Sequence, residues 1–201
     1  MTAAGLLNPQ PAYYWLKTAI ALGTVAGCLA LALLVESLLV RVLAGALLGF
    51  ASTQVALLAH DIGHRQAFRG RRQNLVASAL VGNLLLGVSF SWWTVKHNQH
   101  HATPNHVESD PDILFPMIAF DESQIGAKRR WLRPVIAVQA WVFAALLPFQ
   151  ALAMYVNSVG HLLSPRAKLP WLQAAGMAVH WALYGWFLFA LGSWEAALAV
   201  F

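Results

Sequence analysis

His60-Asp61-Ile62-Gly63-His64 closes one long apolar run, and Lys96-His97-Asn98-Gln99-His100-His101 follows after a second, mainly apolar interval. His60 and His64 stand at i and i+4; His97, His100 and His101 stand at i, i+3 and i+4. On a helix these separations put the imidazoles on one face, one turn apart. Imidazole suits iron, zinc, copper and nickel, and ligands from facing helices can enclose a metal. Two half-sites facing each other would make one polynuclear centre. A lone histidine at a membrane edge reads as a tolerated interfacial residue, whereas five at helix-compatible spacing read as ligands. Asp61 is placed to hold an imidazole tautomer through the free ring N–H, or equally to pair with Arg65 at i+4.

Working outward, composition sets the class. Hydrophobic residues make up 59% of the chain, charged residues only 10%, and mean hydropathy is +0.57. A chain of this kind is a helical membrane protein with few spans. The pI of about 9.8 does not argue for nucleic acid, because the cations cluster beside apolar segments as on cytoplasmic membrane flanks. Cys28 is the only cysteine, so no intramolecular disulfide forms. Val25-Ala26-Gly27-Cys28 looks like a lipoprotein cleavage box, but membrane-spanning sequence follows it instead of a polar mature start.

The expected fold is an all-α integral membrane protein forming a single domain over residues 1–201. Four transmembrane helices in two hairpins are expected at about 15–35, 38–59, 134–155 and 171–191, each near the length a bilayer needs. Glu36-Ser37 marks the first turn. Arg65, Arg69, Arg71, Arg72, Lys96, Lys128, Arg129, Arg130 and Arg133 assign residues 60–133 to a cytoplasmic, histidine-bearing cap. Both termini then fall on the cytoplasmic side, with 157–170 as an exterior loop. Asn74 to Trp93 is apolar enough to resemble a further span, but crossing would put the two clusters on opposite faces. Gly82, Asn83 and Gly87 interrupt it, so an interfacial helix is expected, anchored by Trp92 and Trp93. Ser193 reads as an N-cap with Glu195 in the first helical turn.

From His60 to about Ile113 the sequence resembles the membrane fatty-acid desaturases, in HDIGH, in KHNQHH, and in Thr103-Pro104-Asn105 with Asp110-Pro111-Asp112-Ile113. The resemblance implies that His60, His64, His97, His100 and His101 bind a non-haem centre of two iron ions. With O2 and an external electron donor, such a centre removes two hydrogens from a fatty acyl chain carried as acyl-CoA or acyl-lipid. The implied partners are that substrate, a separate electron-transfer protein and the lipid bilayer, with no nucleic acid. The family's third histidine box has no counterpart before Phe201. The chain is therefore expected to be C-terminally incomplete, short of ligands, and inactive as it stands, with an open pocket beside the histidines where Ser193 to Phe201 emerges.

A related membrane hydroxylase or ketolase is the neighbouring alternative, since the same centre can insert oxygen. An intramembrane zinc protease would need Glu where Asp61 stands and leaves HNQHH unexplained. A haem-bearing or other non-catalytic metal protein would place its ligands on different spans at matched depth. Trp92, Trp93 and Lys96 suit a substrate head group, or simply interfacial anchoring. His106 reads as a solvated loop residue, His161 as exterior, and His180 as a packed, hydrogen-bonded residue within the last span. Asp110 and Asp112 read as turn chemistry around Pro111 and stay off the ligand list.

Overall fold

The computed structural model describes residues 10–201, and of residue 148 the backbone only; the N-terminal tip expected on the cytoplasmic side lies outside them. Every regular element among the described residues is helical. The chain divides into two compact units. One is built from the residues up to Phe90 together with Leu169–Phe201, the other is Ser91–Lys168.

In the first unit, α1 (Pro11–Leu34) and α2 (Leu38–Gly63) form the expected hairpin. The turn falls at Val35 to Ser37, as Glu36-Ser37 indicates. Ala21, Val25, Cys28 and Ala32 on α1, and Ala44, Leu48, Ala51, Val55, Leu58 and Ile62 on α2, recur at alternating intervals of four and three residues on the inward faces. That interval is the coiled-coil seam, and its small residues let the two backbones approach. Both ends of the hairpin are pinned by polar bonds. Arg41 Nε donates to the Ala32 carbonyl at 3.1 Å, closing one of the last open carbonyls of α1. At the other end the Tyr14 hydroxyl donates to Asp61 Oδ2 at 3.3 Å.

The interval expected as one interfacial helix is broken. Helix α3 (Arg71–Ser78) runs into a π-helical stretch, Ala79–Leu85, and the chain then bends before α4 (Phe90–Ala102). Gly87 carries the bend at φ +65°, a conformation that favours glycine. Side chains bond at and around the break. Asn83 Oδ1 accepts from the Phe90 N–H at 3.0 Å, and Ser89 Oγ donates to Gln173 Oε1 at 2.7 Å. His180 Nδ1 lies 3.0 Å from the Leu84 carbonyl and donates to it. His180 is thus the packed, hydrogen-bonded residue the sequence indicates.

Helix α8 (Pro170–Ala190) bears those partners, and its course corrects the expected topology. Its first half lies on the π-helical stretch, where Gly176 meets Asn83 closely. Its far end packs with Ala32 and Ala44 beside the α1–α2 turn. It therefore runs antiparallel to α2 and leads away from the end that carries His60. Helix α9 (Trp194–Val200), capped by Ser193 Oγ on the Ala196 N–H at 3.1 Å as expected, rests on α2 at Gly45. Gly45 is some 22 Å along the helix from His60, so Ser193 to Phe201 does not emerge beside His60 and His64. The polar pair Ser89–Gln173 and the small contact Gly176–Asn83 draw the start of α8 to the broken helix, which alternation of apolar runs across a bilayer does not reveal.

In the second unit, α4 carries the second histidine cluster, followed by α5 (Ser123–Ala127), a 3₁₀ turn at Arg130–Leu132, α6 (Arg133–Ala137) and α7 (Gln139–Leu162). The straight span expected from Pro134 is instead bent by 99° between α6 and α7. Gln139 stabilises that corner by a two-way amide pair with Ala119, 2.9 Å in each direction. Residues 157–162, expected in an exterior loop, complete α7, and His161 Nε2 lies 3.0 Å from Ser91 Oγ on the histidine-bearing α4. Of the expected spans, α1 and α2 alone among the described residues are straight helices long and apolar enough to cross a bilayer. The total rises to as many as four if each of two broken pairs counts as one span.

A methyl group on Gly87 would stand 2.4 Å from His180 Cδ2. Gly87→Ala is expected to destabilise the protein by about 2 kcal/mol or more, from the clash together with the positive φ. Thermal unfolding in detergent should show Gly87→Ala combined with His180→Ala recovering the steric part only. Additive losses in the double variant would show that the clash is not what glycine avoids.

Candidate metal-binding half-sites

His60 and His64 occupy the last turn of α2, both partly buried, their ring centroids 4.6 Å apart and inclined by 66°. The helix stops directly behind them. Arg65 takes a left-handed φ of +60°, its N–H bonds the Ile62 carbonyl at 2.9 Å, and the Gln66 N–H reaches Asp61 at 3.1 Å. This is a Schellman ending, with arginine in the position glycine usually fills. Asp61 turns toward His60, not toward Arg65: Oδ1 lies 3.4 Å from His60 Nδ1 while Oδ2 accepts from Tyr14. Of the two open readings of Asp61, the contact with imidazole is the one the structure contains.

His97, His100 and His101 likewise lie in the closing turns of α4. His97 Nε2 and His101 Nε2 are 3.1 Å apart. Two nitrogens each about 2 Å from one ion are separated by roughly 3 Å, so this pair already has the spacing of a chelate. Trp93, one turn earlier, stacks on His97 with centroids 4.3 Å apart and planes inclined by 22°, which fixes the plane of that ring. Both half-sites sit at carbonyl ends of helices, where the helix dipole favours a cation.

The turn after α4 contains what the sequence reading set aside. Asp110 is fully buried, and its oxygens lie 2.9 and 3.0 Å from His100 Nδ1. They also accept from the Asn105 N–H at 2.7 Å and the Asp112 N–H at 2.9 Å. Burial raises the Asp110 pKa, but the bonds from His100 and Asn105, with the nearby charge of Lys96, outweigh it, holding the carboxyl below the usual range. Asp112 Oδ2 stands 3.2 Å from the same ring nitrogen, and Asp112 Oδ1 bonds Lys96 Nζ. Burial lowers the Lys96 pKa, opposed by the Asp110 charge. Lys96 is thus engaged with Asp112 beside the histidine cluster. The available signal was the place of Asp110-Pro111-Asp112 in the matched motif, ten residues beyond His100. His106 stays exposed, its Nδ1 accepting from the Glu108 N–H at 3.4 Å, as expected of a solvated loop residue.

The sequence model of the family described as fatty acid desaturase matches residues 36–201, which cover most of both units. This chain belongs to the fatty acid desaturase family. Relatives include a Δ8 fatty-acid desaturase of Euglena gracilis, 31% identical across 100% of this chain and 49% of its own length. A Δ6 fatty-acid desaturase of Caenorhabditis elegans is 29% identical across 98% of this chain and 46% of its own length, and a Δ8 fatty-acid desaturase of Helianthus annuus is 28% identical across 80% and 38%. The chain spans less than half the length of each of these relatives. No solved structure matches it significantly. The donor set suits the family's iron: imidazoles, two of them already at chelate spacing, with a buried carboxylate behind a third.

Trp93→Ala removes the stack that orients His97 and is expected to weaken Co2+ binding by roughly tenfold, the low end for lost outer contacts of a ligand. Trp93→Phe keeps a ring in place and should retain most of the affinity. Spectrophotometric titration of the purified chain tests this, and equal affinities for the two variants would refute a positioning role for the stack.

Proposed function

We propose that the protein acts as a fatty-acyl desaturase, with His60, His64, His97, His100 and His101 as ligands of one centre of two non-haem iron ions. The observation that carries this is the 3.1 Å approach of His97 Nε2 to His101 Nε2 on a helix whose next ligand, His100, is backed by a buried carboxylate. The bound irons supply the reduction of O2 to water with four electrons, two from adjacent C–H bonds of the acyl chain and two from an external electron carrier. Each half-site alone offers an ion too few donors, so the reading requires the α2 pair and the α4 cluster to serve one centre. His60 and His100 present their metal-binding nitrogens with Asp61 and Asp110 behind them, while Trp93 holds the plane of His97. Lys96 and Trp93 then act on the ligands, leaving the acyl chain to be gripped by apolar surface.

The His60 end of the α1–α2 hairpin lies on the cytoplasmic side in this reading. Arg65, Arg69, Arg71 and Arg72 support it: all four are exposed directly beyond α2, where cytoplasmic flanks carry their excess of cations. An electron carrier in the cytoplasm or on that membrane face would then have access to the centre.

Expression of a gene containing these residues in cells fed saturated and monounsaturated acids, followed by mass spectrometry of the acyl chains, tests the assignment. New double bonds are expected, and His97→Ala should abolish them along with iron retention. Hydroxylated or keto products in place of new double bonds would reassign the centre to oxygen insertion. One zinc per chain without iron would overturn the reading.

A further inference from the structure

His100, Asp110 and Asp112 bring one nitrogen and two carboxylate oxygens within 4.8 Å of one another, an arrangement that resembles a separate cation site. Its chemistry argues otherwise. Asp110 Oδ2 is occupied by the Asn105 N–H and Oδ1 by the Asp112 N–H, and both face His100 Nδ1. Asp112 Oδ1 is bonded to Lys96 Nζ, and an ammonium in that place repels a second cation. The carboxylates are saturated with donors, so the cluster is built to hold the ring.

The geometry points to Asp110 as the positioning residue that fixes His100 in its Nδ1–H tautomer, leaving the Nε2 lone pair for a metal; the second half of this rests on the ligand role proposed for His100. A neutral imidazole carries one N–H, and an ionised carboxylate can only accept. With carboxylate oxygens 2.9 and 3.0 Å from Nδ1, the hydrogen belongs on Nδ1. Such a partner also makes the opposite nitrogen a stronger donor to a metal.

The carboxylate is fixed before any ligand arrives. Asp110 is at 0% exposure, and the loop around it is tied back by Gln99 Nε2 on the Ser109 carbonyl at 2.8 Å. Gln124 Nε2 adds bonds to the Val107 and Ile113 carbonyls, each 3.2 Å. Lys96 offsets the Asp112 charge, so that Asp110 is the acceptor that governs the ring. His97 and His101 are arranged differently, with their Nε2 atoms 3.1 Å apart. Among the three histidines of α4, His100 is the one whose tautomer is set by a buried acid.

The test uses the metal-free chain labelled with 15N-histidine in detergent, His100 being assigned by its loss in His100→Gln. The expected spectrum shows His100 protonated at Nδ1 and bare at Nε2. Asp110→Asn keeps an oxygen for the backbone N–H groups but turns an NH2 toward the ring. It is expected to move His100 to the Nε2–H form and to weaken Co2+ binding by roughly 10–100-fold. Asp112→Asn should leave the tautomer in place. The wild-type spectrum needs no substitution, so it decides the question even if Asp110→Asn disturbs the turn. An Nε2–H tautomer in the wild type, or a folded Asp110→Asn with unchanged spectrum and affinity, would overturn the inference. An Nδ1–H spectrum without any Co2+ binding would support the positioning of the ring and count against the metal centre alone.

Discussion

Backbone polar groups released among apolar side chains must find partners, and the first unit is arranged around the place where most are released. The helix that begins at Arg71 loses its regular bonding at Ala79 and ends at Leu85. In a lipid-facing protein such a break persists only where other parts of the protein answer it. Buried Asn83 and partly buried His180 do so, beside the buried Ser89–Gln173 pair. Asn83 Nδ2 has no partner among the described residues, which leaves part of the cost unrelieved. The same bonds determine which way α8 must run, and so the path of the chain as far as α9.

The histidine clusters follow a second common rule. Each lies in the final turn or turns of a helix, with a carboxylate close behind one ring. The two endings are made differently. Helix α2 closes through a backbone motif at Arg65, whereas the chain beyond α4 is wrapped around Asp110. The α4 end is accordingly the more rigidly defined of the two, since its bonds come from buried side chains instead of a single strained residue.

Much of this was legible in the sequence because it depends on local period. The hairpin of α1 and α2, the turn at Glu36-Ser37, the N-cap at Ser193 and the helical placement of His60, His97, His100 and His101, with His64 as the C-cap of α2, follow from apolar spacing and cap residues. Gly82, Asn83 and Gly87 marked the interruption correctly. The course of α8 was not legible, because alternation across a bilayer takes no account of a Ser89–Gln173 bond between residues 84 positions apart. The contact of Asp110 with His100 was not legible for a related reason. Asp-Pro-Asp is ordinary turn chemistry in isolation, as its bonds to the Asn105 and Asp112 N–H groups show, and only the folded chain sets the buried carboxylate against His100. The bend between α6 and α7 was hidden by a run of apolar residues that is continuous in sequence though not in direction.

The π-helical stretch Ala79–Leu85 has a bearing on what lengths of chain this fold tolerates. Its bonds, such as Leu86 N–H to the Val81 carbonyl, span five residues instead of four, so the segment accommodates more chain than the α-helix preceding it. Removal of one residue there, with the winding of the rest unchanged, would turn every later side chain by about 100° around the axis. Asn83 would then face away from Phe90 and Gly176, and the corner would lose its acceptor. Substitutions along the exposed side of the segment leave that phase untouched. Single-residue deletions and insertions between Ala79 and Leu85 should therefore be much rarer among functional descendants of this chain than changes of side chain at the same positions.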